Sequence, residues 1–242
     1  MPDRLDCMSE IVIIGGHGRV ALLTIPLLVA DGNSVTAVVR DPDQVADVED
    51  AGASAVVADI ETMSTDSIVD LLEPFDTVVW SAGAGGGDPE RTRNVDENAA
   101  VRTINAAEES HTDRFIMVSW CGSYLDHGIP EDDPFHVYAD AKARADSHLR
   151  RSSLDWTILG PSTLTDGEET GISVIPEDRG RTDGTTVPRA AVAALIAAAV
   201  DCPRSAGHTV RFNAGDSDPE DVLHDLNLNL SSALDSHGSG FE

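Results

Sequence analysis

The sequence predicts an α/β fold, a single domain built on a doubly wound parallel sheet with helices on both faces. Three observations predict it. Short runs rich in Val and Ile alternate with helix-like stretches between residues 10 and 214, as a parallel sheet with right-handed crossovers requires. The first such run, Ile11 to Ile14, is cut by Gly15-Gly16-His17-Gly18 and passes at once into a helical run. That is a buried strand, a glycine turn and a helix N-terminus in succession. The 242 residues are enough to enclose one full core.

The elements follow in order. Residues 1–9 read as a loose polar leader, and the first strand and helix are followed by strand two, Val35 to Val39. Pro26 lies inside helix one, where it removes a hydrogen bond and predicts a kink. Asp41-Pro42 is a helix start, with aspartate as cap and proline in the first turn, so helix two spans about Pro42 to Ala51. Ala55 to Ala58 is strand three. Ser64 or Thr65 opens helix three, which ends near Leu72, and Phe75 to Trp80 is strand four. A long helix is predicted from Pro89 to Ser110, strand five at Arg114 to Ser119, a helix over Pro134 to Arg151, and strand six at Trp156 to Leu159. Val187 to Asp201 is an alanine-rich helix and Thr209 to Asn213 a late strand. Ligand then belongs at the carboxyl ends of strands one and four, where the strand order reverses.

The glycine turn gives that expectation its chemistry. Gly15 permits φ > 0, Gly18 allows close approach over the helix N-terminus, and the free N–H groups there favour a phosphate. Ala21 supplies the small residue where helix meets strand. A plain glycine turn is the alternative, but its place after the first strand points to a dinucleotide. Strand two ends in Arg40, and Asp41 is engaged as a cap, so an arginine stands where an NAD-selective site would place an acid. A guanidinium matches a 2′-phosphate with paired donors, and Arg19 can close on the same phosphate. This favours NADP, with NAD possible; the alternative is two ordinary surface arginines.

Composition excludes several classes. The net charge is -27, with 43 acidic against 16 basic residues, and Lys142 is the single lysine. Such a balance is self-repelling in dilute buffer. It resembles cytoplasmic proteins of extreme halophiles, since molar salt shortens the Debye length to about 3 Å. The other explanation is a basic partner, but the acids are spread along the chain. No basic stripe is present to neutralise nucleic-acid phosphates, and no run is long enough to cross a bilayer. A cytoplasmic protein follows as the expectation. The cysteines Cys7, Cys121 and Cys202 have neither disulfide nor zinc spacing, the histidines are scattered, and no metal site is expected.

The runs VIIGGHGRVA, VVRDPD, VVADI, YADAKARADSHL and LDWTILGPSTLTD together resemble the atypical short-chain dehydrogenase/reductases, over about residues 10 to 214. Within them the chain is most similar to the NAD(P)-binding, NmrA-like and flavin-reductase-like group, a Rossmann-type fold that includes both reductases and non-catalytic redox sensors. The resemblance implies that Gly15, Gly18 and Arg19 hold the pyrophosphate region, with Gly16, His17 and Val20 in the same turn. It places Arg40 on the 2′-phosphate, and Asp59 with Ile60 at the adenine. Ser81, Ala82 and Gly83 would line the central cofactor, and Gly160-Pro161-Ser162-Thr163 would pass the nicotinamide. Asp59 has a plainer alternative as a turn residue.

Tyr138 and Lys142 are the catalytic candidates. Four residues apart on a helix, they share a face. A neighbouring ammonium is expected to lower the tyrosine pKa from ~10, so that the phenol exchanges a proton with a substrate carbonyl or alcohol. With two tyrosines and one lysine in the chain, chance gives this spacing in about one per cent of placements. By resemblance the lysine also holds the nicotinamide ribose. The pattern then wants a hydroxyl after strand five. Here Trp120 falls at that position in Ser119-Trp120-Cys121-Gly122-Ser123, leaving Ser119 or Ser123 to serve, and an indole cannot exchange a proton as a hydroxyl does.

Thr165 to Thr186, with a short strand at Ile172 to Ile175, is expected to be a mobile cover over the substrate or a solvated loop. Too little chain remains for the larger C-terminal lobe of a nucleotide-sugar epimerase. Leu223, Leu226, Leu230 and Leu234 recur at helical spacing, to dock a last helix on the core or to form a dimer surface. The chain is therefore a monomer or homodimer, and the final residues should fray. Two functions are open: an NADP(H)-dependent oxidoreductase acting on a small carbonyl, quinone or flavin-like acceptor, or a non-catalytic NADP(H) sensor.

Overall fold

The first strand, β1 (Glu10–Ile14), sets the architecture, because Ile11 to Ile14 are all fully enclosed. A strand buried on both faces reads as a continuous apolar run, and that requires helices on both sides. The computed structural model describes residues 8–86, 88–176 and 185–226. After β1 come α1 (Arg19–Ala30), β2 (Ser34–Val39), α2 (Val45–Asp50), β3 (Ser54–Val57), α3 (Thr65–Leu72) and β4 (Thr77–Trp80). A continuous helical run then comprises α4 (Pro89–Thr92), a π-helical stretch (Arg93–Ala99) and α5 (Ala100–Ser110). The chain continues through β5 (Arg114–Val118), α6 (His136–Leu149), β6 (Asp155–Pro161), β7 (Thr163–Thr165), β8 (Gly171–Val174), β9 (Thr186–Pro188), α7 (Arg189–Val200) and β10 (His208–Gly215). A last helical segment covers 219–226.

The main sheet has the order β3-β2-β1-β4-β5-β6-β10-β8, and β7 pairs with β9 in a separate two-stranded ladder. Every neighbour in the main sheet is parallel except β8, which runs antiparallel to β10. The order reverses between β1 and β4, which opens a crevice at their carboxyl ends. Side chains leave β1 alternately. Ile11 and Ile13 pack with Ile25, Leu28, Leu195 and Ile196 of α1 and α7. Val12 and Ile14 pack with Ile68, Ile104 and Leu149 of α3, α5 and α6. Leu223 of the last segment is fully buried in the first of these layers, and Leu226 packs beside it; Leu230 and Leu234 lie outside the described residues.

Local capping follows the sequence. Asp41 accepts from the Asp43 N–H and opens a 3₁₀ turn, Pro42–Gln44, that leads into α2. Ser64 caps α3 through the Ser67 N–H at 3.2 Å, and α1 runs through Pro26 without interruption. One expectation changes. Strand six extends to Pro161, because Phe212 of β10 continues the ladder opposite it, so Gly160 and Pro161 are strand and not loop. The short strand expected at Ile172 to Ile175 forms as β8, whose pairing with β10 fixes Gly171–Val174 at the sheet edge; residues 177–184 of the expected cover lie outside the described residues. Among the described residues no helix is long and apolar enough to cross a membrane.

Candidate active site

The glycine turn is packed tightly enough to dictate its own composition. Gly15 has φ +86°, and a Cβ there would stand 2.6 Å from the Ala82 Cα at the end of β4. A Cβ on Gly16 would meet the Ala37 side chain at 2.4 Å. Gly18 starts α1 with no side-chain cap, and the first turn carries no acidic residue, so the leading N–H groups are left for an outside anion. This uncapped turn, without a Cβ at three positions, fits a dinucleotide pyrophosphate.

Two cavities meet over that turn, sharing Gly18 and Ser81 to Gly85. The smaller, about 270 Å³, is lined by Gly15, His17, Arg40, Gln44, Asp59 and Ile60. Arg40 is exposed at its rim, and His17 Nε2 lies 2.7 Å from Asp47 Oδ2. Asp59 does two things at once. Its carboxylate accepts from the Glu61 N–H and its carbonyl from the Thr62 N–H, so it is a turn residue that also forms part of the wall. The larger cavity, about 950 Å³, takes in Arg19, Val20, Ser119, Phe135, Tyr138 and Lys142. Gly16 and Pro161 line neither, and Ser123 lies outside both.

Lys142 is almost fully enclosed, and its Nζ donates to the Val118 carbonyl at 3.2 Å. It lies 3.2 Å from Asp96 Oδ1 and 6.0 Å from the centre of the Tyr138 ring. Asp96, 1% exposed, sits in the π-helical stretch, and its other oxygen accepts from the Ala84 N–H at 3.0 Å. π-Turns recur at functional sites because they re-aim one side chain without ending the helix. Asp96 Oδ1, which faces the Lys142 ammonium, lies where a Cβ on Gly83 would come within 3.2 Å. Asp96 was missed in the sequence. The signal was there: it falls in the buried stripe Thr92, Val95, Asp96, Ala99, Ala100, at the 3/4 spacing of an apolar helix face.

Burial disfavours the Lys142 ammonium, but the neighbouring carboxylates, Asp96 first and Asp146 beyond it, outweigh it and hold the pKa above the ordinary lysine value. The Tyr138 pKa moves the opposite way from the sequence expectation. Burial raises it, Lys142 lowers it, and Asp96, Asp146 and Cys121 raise it further, for a net upward shift. Tyr138 is therefore a neutral phenol, suited to give a proton.

The two serines are committed elsewhere. Ser119 and Ser123 donate to the same Asp146 oxygen, at 2.7 and 2.6 Å. Asp146 is fully buried, and burial raises its pKa against the two hydroxyls, Arg150 and Lys142. Ser119 still reaches the large cavity, but there it offers only lone pairs. Trp120 stands behind Tyr138, its ring 5.0 Å from Phe135 and 6.4 Å from Tyr138. Asp146→Ala strands two buried hydroxyls and should cost about 1–3 kcal/mol for each. Asp146→Asn keeps an acceptor and removes a carboxyl whose raised pKa makes it a growing liability as pH climbs above the unfolded-state value. Urea unfolding should thus rank Asn well above Ala at every pH, while wild type loses ground to both from acid to neutral pH.

His127, His136 and Asp140 are the one group among the described residues that could hold a metal ion. The Ile129 N–H donates to His127 Nδ1 at 3.1 Å, which places the ring proton on Nε2, facing Asp140 at 3.2 Å. With that atom already a donor, the trio works as a clasp holding the 127–129 loop on α6.

Residues 15–203 match the family described as NAD(P)H-binding. The chain belongs to this NAD(P)H-binding family. It is 30% identical over 220 residues to a protein named as the uncharacterized sugar epimerase YhfK of Bacillus subtilis, covering 90% of this chain and all of the relative. A solved structure named as a putative NAD-dependent epimerase/dehydratase from Bacillus halodurans is 32% identical, with a TM-score of 0.81, covering 90% of this chain and all of that one. Another, the oxidoreductase ylbE from Lactococcus lactis, is 26% identical with a TM-score of 0.78, covering 90% and 97%. These are whole-length matches, so family members carry epimerase in their names without the larger lobe that the sequence argument required. The matches place this NAD(P)H-binding protein among oxidoreductase-like and epimerase-like relatives and do not separate NADP from NAD.

Proposed function

We propose that this NAD(P)H-binding protein is an NADP(H)-dependent oxidoreductase of the atypical short-chain dehydrogenase/reductase type, reducing a small carbonyl, quinone or flavin-like acceptor. The observation that carries the proposal is the side-by-side placement of Tyr138 and Lys142 in the wall of the 950 Å³ cavity, which opens onto the glycine turn. The dinucleotide, when bound, supplies or takes a hydride. The chain's part is positional and protonic. Gly15, Gly18 and Arg19 receive the pyrophosphate, Arg40 the 2′-phosphate, and Ser81 to Gly83 the strap between the two halves. Tyr138 holds its proton at the hydroxyl until an oxygen in the cavity becomes basic enough to take it. Lys142, pinned by Asp96 and Val118, puts a fixed positive charge beside that phenol and favours the phenolate left behind.

NADPH consumption with a panel of acceptors in molar KCl tests the reading. In the same assay Arg40→Ala should weaken NADPH binding by roughly tenfold or more, through loss of charge-assisted hydrogen bonds, and leave NADH binding nearly unchanged. Equal losses for both cofactors would remove Arg40 from the 2′-phosphate. The commitment of Ser119 and Ser123 to Asp146 supports a second reading, a non-catalytic NADP(H) sensor, since neither hydroxyl can donate to a substrate oxygen. Tight NADPH binding with no turnover on any acceptor would favour it. An epimerase would interconvert its substrate without net NADPH consumption.

A further inference from the structure

Asp166 lies on the 165–170 segment that follows β7, three-quarters exposed to solvent. Its carboxylate is nevertheless the meeting point of two arginines from distant parts of the chain. Arg189 Nη1 donates to Oδ1 at 2.7 Å, and Arg19 Nη1 donates to both oxygens at 3.1 and 3.3 Å. Both arginines line the large cavity. Arg189 is largely buried, at 13% side-chain exposure, and is the first residue of α7. A cation at a helix N-terminus opposes the macrodipole, so this placement works against the stability of α7. Arg19 opens α1, whose uncapped N–H groups face the same cavity. Three sources of positive potential therefore converge on one exposed carboxylate.

We propose that Asp166 is a resident stand-in for the pyrophosphate of the dinucleotide, and that Arg189 is an additional phosphate ligand which Asp166 gives up when the dinucleotide binds. The inference rests on the dinucleotide reading above and adds to it a residue from the far end of the chain and a competing internal anion. Displacement is cheap on the carboxylate side, because Asp166 is three-quarters exposed and water screens its attraction to both arginines. The pyrophosphate brings more charge and more acceptors to the same guanidinium groups. It also releases the 165–170 segment, which joins the glycine turn to the wall of the substrate cavity through Leu164 and Arg189.

The test is calorimetric titration of the full chain with NADPH and, separately, with inorganic pyrophosphate. Wild type is compared with Arg189→Gln, Arg189→Lys and Asp166→Asn, each first matched for thermal unfolding. Arg189→Gln should weaken both ligands by about tenfold, and Arg189→Lys by less, since the charge stays and the fork is lost. Asp166→Asn should tighten both by about two- to fivefold, because a competitor is removed. Unchanged binding in Arg189→Gln, or weaker binding in Asp166→Asn, overturns the proposal and leaves the dinucleotide reading standing if wild type binds NADPH. Arginine-dependent pyrophosphate binding without any dinucleotide binding supports the anion site and sinks the dinucleotide reading. An Arg189 effect confined to the KM of a carboxylate- or phosphate-bearing acceptor transfers the anion to the substrate and overturns the pyrophosphate assignment.

Discussion

Tyr138→Phe is expected to lower turnover by roughly 10²- to 10⁴-fold, the usual worth of a positioned general acid, while the dinucleotide affinity stays close to wild type. The separation follows from placement. Tyr138 and the glycine turn line different parts of the crevice, and the ring of phenylalanine preserves the stacking with Phe135 and Trp120. The neighbouring hydroxyl of Ser119 cannot substitute, because its proton is donated to Asp146. The pH profile gives an independent check. Burial raises the Tyr138 pKa more than Lys142 lowers it, so the phenol is fully protonated at neutral pH. Acceptor reduction should then be flat through neutrality and fall only as pH rises through the raised phenol value. The reverse oxidation, which needs the phenolate, should climb over the same range. Stopped assays in molar KCl across pH 6 to 10, a range that ends below the raised phenol value, should therefore find reduction flat throughout. A full rate in the Phe variant would remove Tyr138 as the donor.

The strands and helices were legible in the sequence because each is dictated by local chemistry. Asp41-Pro42 and Ser64 cap the helices they precede, and the all-apolar runs at β1 and β4 demand cover on both faces. The glycine turn was legible for the same reason, since the positive φ of Gly15 and its contact with Ala82 leave no room for another residue. What escaped was decided by long-range pairing. The short strand at Ile172 to Ile175 was legible, but not its partner: Ile172 pairs with Ala214 of β10. Ser119 and Ser123 looked like substrate donors because they lie beside the right strand. Only the fold shows that Asp146, a helical acid on the buried face of α6, accepts both hydrogen bonds. The direction of the Tyr138 shift was misjudged because spacing reveals the lysine but not the two carboxylates and the burial around it.

Asp96→Ala should be the most damaging single change to stability, by about 3–5 kcal/mol, because it leaves a buried ammonium without its counter-charge. The loss is compounded at the Ala84 N–H, whose acceptor disappears, at about 1–3 kcal/mol for an unsatisfied buried donor. The Asp96–Lys142 pair need not stabilise the fold relative to an apolar pair. Its cost of desolvation is large, and what the substitution exposes is the penalty of half a pair. A double variant, Asp96→Ala with Lys142→Met, should therefore recover much of the loss while abolishing activity. Asp96→Asn, which keeps an acceptor for Ala84, should fall between. The sign with pH is fixed by Lys142, whose folded pKa is raised. Its contribution is fully present below the ordinary lysine value and is lost as pH rises through the raised one, so wild-type stability should be flat from pH 6 to 9. In Asp96→Ala burial works against the ammonium without that carboxylate, so the gap in urea unfolding should widen as pH falls. If Asp96→Ala unfolds with wild type, the Val118 carbonyl alone holds the amine. The π-helical turn would then have no part in building the site.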